Sequence, residues 1–137
     1  MVIVVVDGMG GGLGTSIIEV LKKAKLSKKT FEIIAVGTNA IATANMIKAG
    51  ADAGATGEEP IIYNSNRADY IIGSFGIVIG NSMYGEISPT IASAISCAEA
   101  HKILIPINNY NASIIGVKKQ SLTETLNDII EIISGDS

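Results

Sequence analysis

The chain begins with Met1-Val-Ile-Val-Val-Val-Asp7-Gly8-Met-Gly-Gly-Gly-Leu-Gly14, and this stretch decides the fold. Residues 2–6 form an unbroken apolar run rich in β-branched side chains, which is typical of a strand covered on both faces. Apolar residues then recur at helical spacing from Thr15 to Ala24. A strand, a glycine-rich turn and a helix in this order are the opening of a nucleotide-binding βαβ unit.

The glycine turn is a candidate phosphate site. It contains Gly8, Gly10, Gly11, Gly12 and Gly14. Free N–H groups and the positive end of the helix dipole meet at such a turn, and both favour a phosphate. Gly8, Gly12 and Gly14 fit the spacing G-x-x-x-G-x-G, which resembles the fingerprint of short-chain dehydrogenases, whereas the strict G-x-G-x-x-G pattern fails at Leu13. The alternative is that the glycines only allow the helix to pack closely on the strand.

Two features of the sequence argue against an ordinary dinucleotide-binding enzyme. The second predicted strand, Phe31–Val36, ends in Gly37-Thr38-Asn39 and lacks the acid that binds a ribose 2′-hydroxyl about 20 residues after the glycines. No arginine stands there for a 2′-phosphate either, so NAD and NADP both stay open as cofactors. Asp7 would repel a bound phosphate unless its side chain turns away or a cation lies between them.

Composition excludes some partners and favours others. The net charge is −3, and no basic run is present, so we expect no nucleic-acid binding. No apolar run reaches the roughly 18–20 residues of a membrane span. Only 17% of the residues are charged and 47% are hydrophobic, so we expect a homo-oligomer that buries apolar surface. The single Cys97, and a start without a basic leader region, predict a cytoplasmic protein.

Strand and helix patterns alternate along the rest of the chain. Helices are predicted from Thr38 or Asn39 to Lys48, from Ser88-Pro89 to about Ala100, and from the Ser121 capping box onward; strands are predicted at Pro60–Tyr63, Tyr70–Gly73, Lys102–Pro106 and, as a short extra strand, Ser113–Val117. The glycine-rich segment 51–59 is predicted to be a surface loop, and segment 74–86 is either an extended loop or a partial helix. Ile41, Ala44, Ile47 and Ala51 are predicted to form the apolar stripe of their helix.

This alternation predicts the α/β class. The simplest assembly is a Rossmann-like three-layer sandwich, formed by residues 1–137 as a single domain. Its mostly parallel five-stranded sheet has the order 3-2-1-4-5 with right-handed crossovers.

Polar residues follow the predicted strands and form a candidate ligand crevice. They are Asp7, Thr38, Asn39, Asn64, Ser74 and Asn108. Loops at the carboxyl ends of parallel strands converge on one crevice, where ligands of open α/β sheets bind. Uncharged amides and hydroxyls suit sugar hydroxyls or a base edge. The alternative is that these residues are ordinary turn and cap residues.

The sequence contains no complete combination of residues typical of a known catalytic site. No Tyr is followed by Lys four residues later, no His/Cys cluster has zinc spacing, and the P-loop lysine is absent. Asp7 is the best catalytic candidate, as a base or a Mg²⁺ ligand at a strand end. Glu58 and Glu86 are second-rank candidates in glycine-flanked loops that could reach the crevice, although a solvated loop charge is the commoner role for such residues.

The chain resembles a small family of uncharacterised bacterial proteins that is known only as a domain of unknown function. The resemblance is carried by Asp7–Gly14, Gly37–Thr43, Ala49–Glu58, Gly85–Pro89 and Lys102–Pro106 with Asn108. It covers nearly the whole chain and implies one intact Rossmann-like domain. It implies no activity and lends no catalytic residue.

Three hypotheses follow from the sequence. The leading one is a protein that binds a nucleotide or dinucleotide at Gly8–Gly14. The second is a small enzyme that uses Asp7 with a metal or a bound cofactor. The third is a non-enzymatic subunit or regulatory module in which the glycine turn serves packing alone.

Overall fold

The computed structural model describes residues 1–24, 31–107 and 111–135. Strands and helices alternate through these ranges. The strands are β1 (Val2–Asp7), β2 (Glu32–Gly37), β3 (Ala53–Thr56), β4 (Tyr70–Ser74) and β5 (His101–Ile105). The α-helices are α1 (Gly12–Lys23), α2 (Ala40–Lys48), α3 (Glu58–Ser65), α4 (Pro89–Cys97) and α5 (Leu122–Gly135), and a 3₁₀ turn spans Phe75–Val78.

The strands form one parallel sheet in the order β3-β2-β1-β4-β5, which confirms the predicted topology. Val5 lies opposite Ala35 of β2 and Ile72 of β4. The carboxyl ends of all strands therefore meet at one edge of the sheet. The strand order reverses between β1 and β4, and ligands of open α/β sheets bind above such a reversal.

Helices cover both faces of the sheet, which explains the unbroken apolar run of β1. Ile3 and Val5 pack in one core layer with residues of α1, α2 and α5, whereas Val4 and Val6 pack in the other with residues of α3 and α4. All four side chains are fully buried or nearly so. Each such side chain stabilises the fold by roughly 1.5–3 kcal/mol relative to exposure.

The prediction for residues 51–66 is wrong. The third strand is β3, within the segment predicted to be a loop, and Pro60–Tyr63, predicted to be a strand, lies inside α3. β3 is an edge strand of small residues that pairs only with β2, so no apolar run marks it. Glu58, Glu59 and Pro60 fill the first turn of α3, where acids complement the helix dipole and proline needs no N–H partner.

Two further predictions differ from the structure. Residues 113–117 form no strand. On α2, Ile41, Ala44 and Ile47 are exposed, whereas Ala42, Thr43 and Met46 are buried. The physical reason is close packing: a Cβ on Gly37 would collide with Thr43, so α2 lies directly against β2 with Thr43 and Met46 turned inward.

None of the helices in the described part of the chain is both long and apolar enough to cross a bilayer.

The helical assignment of α3 predicts opposite effects of two neighbouring substitutions. Ile61 is fully buried, whereas Tyr63 is 58% exposed and stacks only with Arg67. We expect Ile61→Ala to lower the free energy of unfolding by about 2–5 kcal/mol. Tyr63→Ala should lower it by about 1 kcal/mol or less.

Urea unfolding followed by circular dichroism measures both values. In a strand, residues 61 and 63 would face the same side of the sheet. Comparable losses for the two variants would therefore contradict the helix.

Candidate functional site

The glycine turn joins the carboxyl end of β1 to α1. Gly11 occupies the N-cap position with φ of 73°, and its N–H donates to the Gly8 carbonyl at 2.9 Å. A Cβ on Gly11 would lie 2.8 Å from the Ala42 Cα atom, so α2 packs directly on the turn. Because α1 begins at Gly12 and not at Thr15, Gly12 and Gly14 belong to its first turn.

Asp7 is buried at the glycine turn and anchors the first turn of α1. Its carboxylate is buried and accepts the N–H of Gly8 at 2.8 Å and the N–H of Gly14 at 2.7 Å. Burial raises the pKa of this carboxyl above its ordinary value, although the two amide hydrogen bonds oppose that effect. Both carboxylate oxygens thus accept hydrogen bonds from the backbone of the turn, which gives Asp7 a structural role that the sequence did not reveal.

The lack of a side chain at Gly8 and Gly14 allows neighbouring side chains to pack closely on the turn. A Cβ on Gly8 would lie 2.7 Å from both the Glu86 carboxylate and the Thr38 hydroxyl, and a Cβ on Gly14 would collide with Met46. With Gly11, these residues account for three glycines of the turn through contacts inside the chain.

Gly10 and Gly12 have no such requirement. A Cβ on either would meet nothing within 4 Å, and neither residue has a positive φ. Both line a pocket of about 330 Å³ between α1 and α2. Its other lining residues are Thr15, Glu19, Asn45, Lys48 and Ala49. The amides of Gly12 and Leu13 begin the helix and therefore have no acceptor within it.

Glu86 connects the loops that follow β1 and β2. Its Oε1 atom accepts the Met9 N–H at 2.7 Å, the Asn39 side-chain amide at 3.1 Å and the Thr38 hydroxyl. These donors, the Met9 amide first, hold the pKa of Glu86 below its ordinary value. None of the three donors carries a charge, so the carboxylate keeps its full negative charge at this edge of the sheet.

Asn39 reinforces this connection. Its Oδ1 atom accepts the Ala42 N–H at 2.9 Å and so caps α2, which confirms the predicted cap, and its amide nitrogen also donates to the Met9 carbonyl at 2.9 Å. The Asn45 side chain donates to the Gly10 carbonyl at 2.9 Å. The cap residue of α2 and a residue within this helix thus hold the backbone of the glycine turn.

A strained segment presents Glu86. Asn81, Met83, Tyr84 and Gly85 all have positive φ values, between 55° and 86°. Buried Met83 and Ile87 fix the segment from below, and the Ser82 hydroxyl donates to the Gly76 carbonyl. Positive φ in residues other than glycine costs of order 1–3 kcal/mol each.

The other predicted site residues do not join this cluster. Asn64 lies near the end of α3. The chain continues from there to the edge of the sheet at which the strands begin, where the Asp69 N–H donates to the Val2 carbonyl. Its predicted position after a strand is therefore wrong. Asn108 lies outside the described residues. Glu58 accepts a hydrogen bond from the Ser88 hydroxyl at 2.6 Å.

Ser74 lies at the end of β4 beneath the surface. Continuing the register of Val5 with Ile72 sets it beside Asp7, on the same face of the sheet. Its hydroxyl is closed off from solvent and has no partner among residues 1–24, 31–107 and 111–135. In this conformation Ser74 belongs to the layer under α1 and not to the crevice surface.

Sequence reasoning missed Thr15, Asn45 and Lys48. They lie on exposed or half-exposed helix positions and become neighbours only because α1 packs beside α2. A larger cavity of about 790 Å³ lies at the end of β5, against residues 112–125. Within the described ranges, no group of three His, Cys, Asp or Glu side chains could hold a metal ion.

The chain matches one protein family along nearly its whole length. A family model described as Domain of unknown function (DUF3842) matches residues 2–136. The chain belongs to this family. No curated protein and no solved structure gives a significant match. The family assignment agrees with the resemblance noted from the sequence motifs.

The hydrogen bonds of Glu86 predict an acid-sensitive contribution to stability. A carboxyl whose folded pKa lies below its ordinary value of 4.5 stabilises the fold above that value and loses this effect as the pH falls through the folded pKa. We expect Glu86→Gln to lower the free energy of unfolding by about 1 kcal/mol at neutral pH, because a neutral acceptor binds three donors less strongly.

Urea unfolding at neutral pH and below pH 4.5 measures the effect. The difference between the wild-type protein and Glu86→Gln should shrink in acid, whereas Glu131→Gln, an exposed change on α5, should show no such trend. Asp7 works in the opposite direction, because its raised pKa makes ionisation unfavourable; the Glu86 charge contributes to that rise, so its removal offsets part of the loss at neutral pH. A difference that is constant with pH would contradict the charged role of Glu86.

Proposed function

We propose that this protein binds a phosphate-bearing small molecule, a nucleotide or dinucleotide, on the outer side of the glycine turn. The observation that carries the proposal is the pair Gly10 and Gly12, which face open space without a steric or conformational need for glycine. Where alanine could adopt the same backbone conformation, glycine lowers stability by roughly 0.4–1 kcal/mol, because it leaves the unfolded chain more conformational freedom. Its use there favours a site at which another molecule approaches the backbone closely.

The chemistry around these glycines suits a phosphate. The amides of Gly12 and Leu13 and the positive end of the α1 dipole favour an anion. Lys48 supplies a positive charge in the same pocket, and Thr15 supplies a hydroxyl. Glu19 also lines the pocket, one turn further along α1, so the favourable region is the end of the pocket nearest the turn.

The carboxylates of Asp7 and Glu86 restrict where the phosphate binds. They already accept the amides of Gly8, Met9 and Gly14. A phosphate on the inner side of the turn would meet two negative charges, so the outer amides are the available ones. The proposal is for a cytoplasmic binding protein; with Asp7 committed to the fold, catalysis by that residue is disfavoured.

Substituting Gly12 tests this placement. An acid in the first turn of a helix stabilises it by about 0.3–1 kcal/mol, so Gly12→Asp should fold. The same carboxylate would stand where the phosphate binds and should abolish ligand binding. Thermal unfolding with and without NAD, NADP, ATP and pyrophosphate measures this, because a bound ligand raises the Tm.

Thr123→Asp is the matched control. It adds a carboxylate to the first turn of α5, at an exposed position away from the glycine turn, and should keep wild-type binding. Equal ligand-induced shifts in Gly12→Asp and wild type would contradict the placement. A wild-type Tm that none of the four compounds raises at millimolar concentration would contradict the proposal itself.

A second candidate function is that of an oligomeric subunit, and the apolar surface near β5 favours it. Ile115 is 99% exposed, and Ile114, Val117 and Leu122 are each about half exposed. Ile114, Val117 and Leu122 also line the larger cavity at the end of β5. A contiguous apolar surface of this kind marks an interaction site more often than free surface.

Light scattering coupled to gel filtration tests this candidate. We expect the wild-type protein to be a homo-oligomer and Ile115→Glu to dissociate it. Ile41→Glu places the same charge at a 68% exposed position on α2 and should leave the assembly intact. A monomeric wild-type protein would exclude the subunit function in this form.

A further inference from the structure

The segment between β5 and α5 carries apolar side chains that its own chain leaves in water. Residues 112–120 form neither a helix nor a strand, although their sequence predicts a short strand at 113–117. Ile115 is 99% exposed, the largest exposed fraction of any large hydrophobic side chain in the described residues, and Ile114 and Val117 are about half exposed. Gly116, with a φ of 92°, turns the chain directly after Ile115. Residues 114–117 thus form an apolar tip.

An apolar groove runs beside this tip. Two cavities, of about 790 and 460 Å³, share Ile105 and Ile114 among their lining residues and therefore form one continuous groove. Phe75, Ile103 and Ile132 line its smaller part, and Ile132, on α5, is 38% exposed. The sheet ends at β5, and within residues 1–24, 31–107 and 111–135 no strand other than β4 pairs with it. The groove is therefore open toward a partner.

Opposite charges border the tip and the groove. Lys118 and Lys119 follow the tip directly, are both exposed and line the larger cavity. Glu124 and Asp128 are exposed on α5, and because they are four residues apart they lie on the same side of this helix. Asp128 also lines the smaller cavity, where it accepts a hydrogen bond from the neutral amide of Gln120 at 2.8 Å. One face of the chain therefore has a basic end and an acidic wall.

We propose that the occupant of this groove is a second copy of the chain. About a two-fold axis, Ile115 of each copy inserts into the groove of the other, and Lys118 and Lys119 of each copy lie against the Glu124 and Asp128 side of α5 in the other. This inference rests on the second candidate function, the oligomeric subunit, and names its partner, its symmetry and the charges that select it.

Charge complementarity favours a second copy over a partner of another chemistry. A purely acidic partner would meet Glu124 and Asp128 with a like charge, and a purely basic partner would meet Lys118 and Lys119 in the same way. A second copy related by a two-fold axis brings the basic end of each chain to the acidic wall of the other. Opposite charges then meet at both contacts of the pair.

The position of the tip favours a closed pair over an open row of copies. Ile114 and Val117 line the groove of their own chain, whereas Ile115 lines neither cavity and projects into solvent. Tip and groove therefore lie side by side on one face. When two copies meet across a two-fold axis, the same surface of each copy serves, and one contact covers both tips. Removal of this apolar surface from water drives the association.

Sedimentation equilibrium of the full chain and its charge variants tests the arrangement. Lys118→Glu with Lys119→Glu should raise the dimer Kd roughly 100-fold, because like charges then face each other at both contacts. Glu124→Lys with Asp128→Lys should have a similar effect for the same reason. An equimolar mixture of the two variants should form a heterodimer with a Kd near that of the wild-type protein, since each contact regains opposite charges.

A matched control keeps the change of charge and moves it elsewhere. Lys22→Glu with Lys23→Glu reverses two neighbouring lysines at the end of α1, where no contact is proposed, and should retain the wild-type Kd. The mixture separates contacts between chains from contacts within one chain. If Lys118 and Lys119 acted only on α5 of their own chain, the mixed variants would stay dissociated.

The outcomes separate the proposals. A monomeric wild-type protein would leave the groove to another occupant and overturn the oligomeric subunit and this inference together. A wild-type oligomer larger than a dimer, a Kd that neither charge variant changes, or a mixture that stays dissociated would overturn this arrangement alone. If either double variant does not fold, the single changes Lys118→Glu and Asp128→Lys, alone and mixed, decide. Phosphate binding at the glycine turn is independent of each result.

Discussion

The hydrogen bond between the buried Asp7 carboxylate and the Gly14 amide fixes the geometry on which the site depends. It joins the end of β1 to the first turn of α1 and so closes the glycine turn from inside. Because Gly14 has no side chain, Met46 of α2 packs directly against this turn. Asp7 therefore acts as an internal anion at the helix N-terminus, in the place that a ligand phosphate takes in many nucleotide-binding folds. The consequence is a turn whose inner amides are occupied and whose outer amides remain accessible.

A second carboxylate extends this arrangement to β2. Glu86 accepts one donor from the loop after β1 and two from the residues after β2, and Asn39 repeats the connection through its own side chain. Charge-assisted hydrogen bonds are roughly twice as strong as neutral ones. Asp7 and Glu86 therefore fix the relative positions of the loop after β1, the residues after β2 and the segment that contains Glu86. The glycines divide accordingly. Gly8, Gly11 and Gly14 allow the close approach of neighbouring groups, whereas Gly10 and Gly12 face the pocket that contains Lys48.

An element of the fold could be predicted where its burial produces a recognisable pattern of apolar residues. It could not be predicted where the sequence contains no such pattern. The apolar run of β1 and the caps at Asn39, Ser88 and Ser121 were sufficient for the topology, since central strands and capped helices have strong local signals. β3 escaped prediction because an edge strand of Ala, Gly and Thr has no apolar run, and the buried face of α2 was misplaced because small residues and not isoleucines fit against Gly37. Within the site, the glycines were predictable from spacing. The approach of Glu86 to Met9 was not, because 77 residues separate them.

Backbone strain concentrates around the same residues and supports a functional reading of the site. Met9 in the turn and Asn81, Met83 and Tyr84 in the segment that presents Glu86 have positive φ, and none of them is glycine. Packing alone does not require this, because a loop that served only to cover the sheet would be more stable with glycine at such positions. The strain is tolerated because Met83 and Ile87 are buried and the Glu86 carboxylate is held by three donors. The fold thus maintains, at a cost in stability, a carboxylate at one side of the glycine turn and open amides at the other.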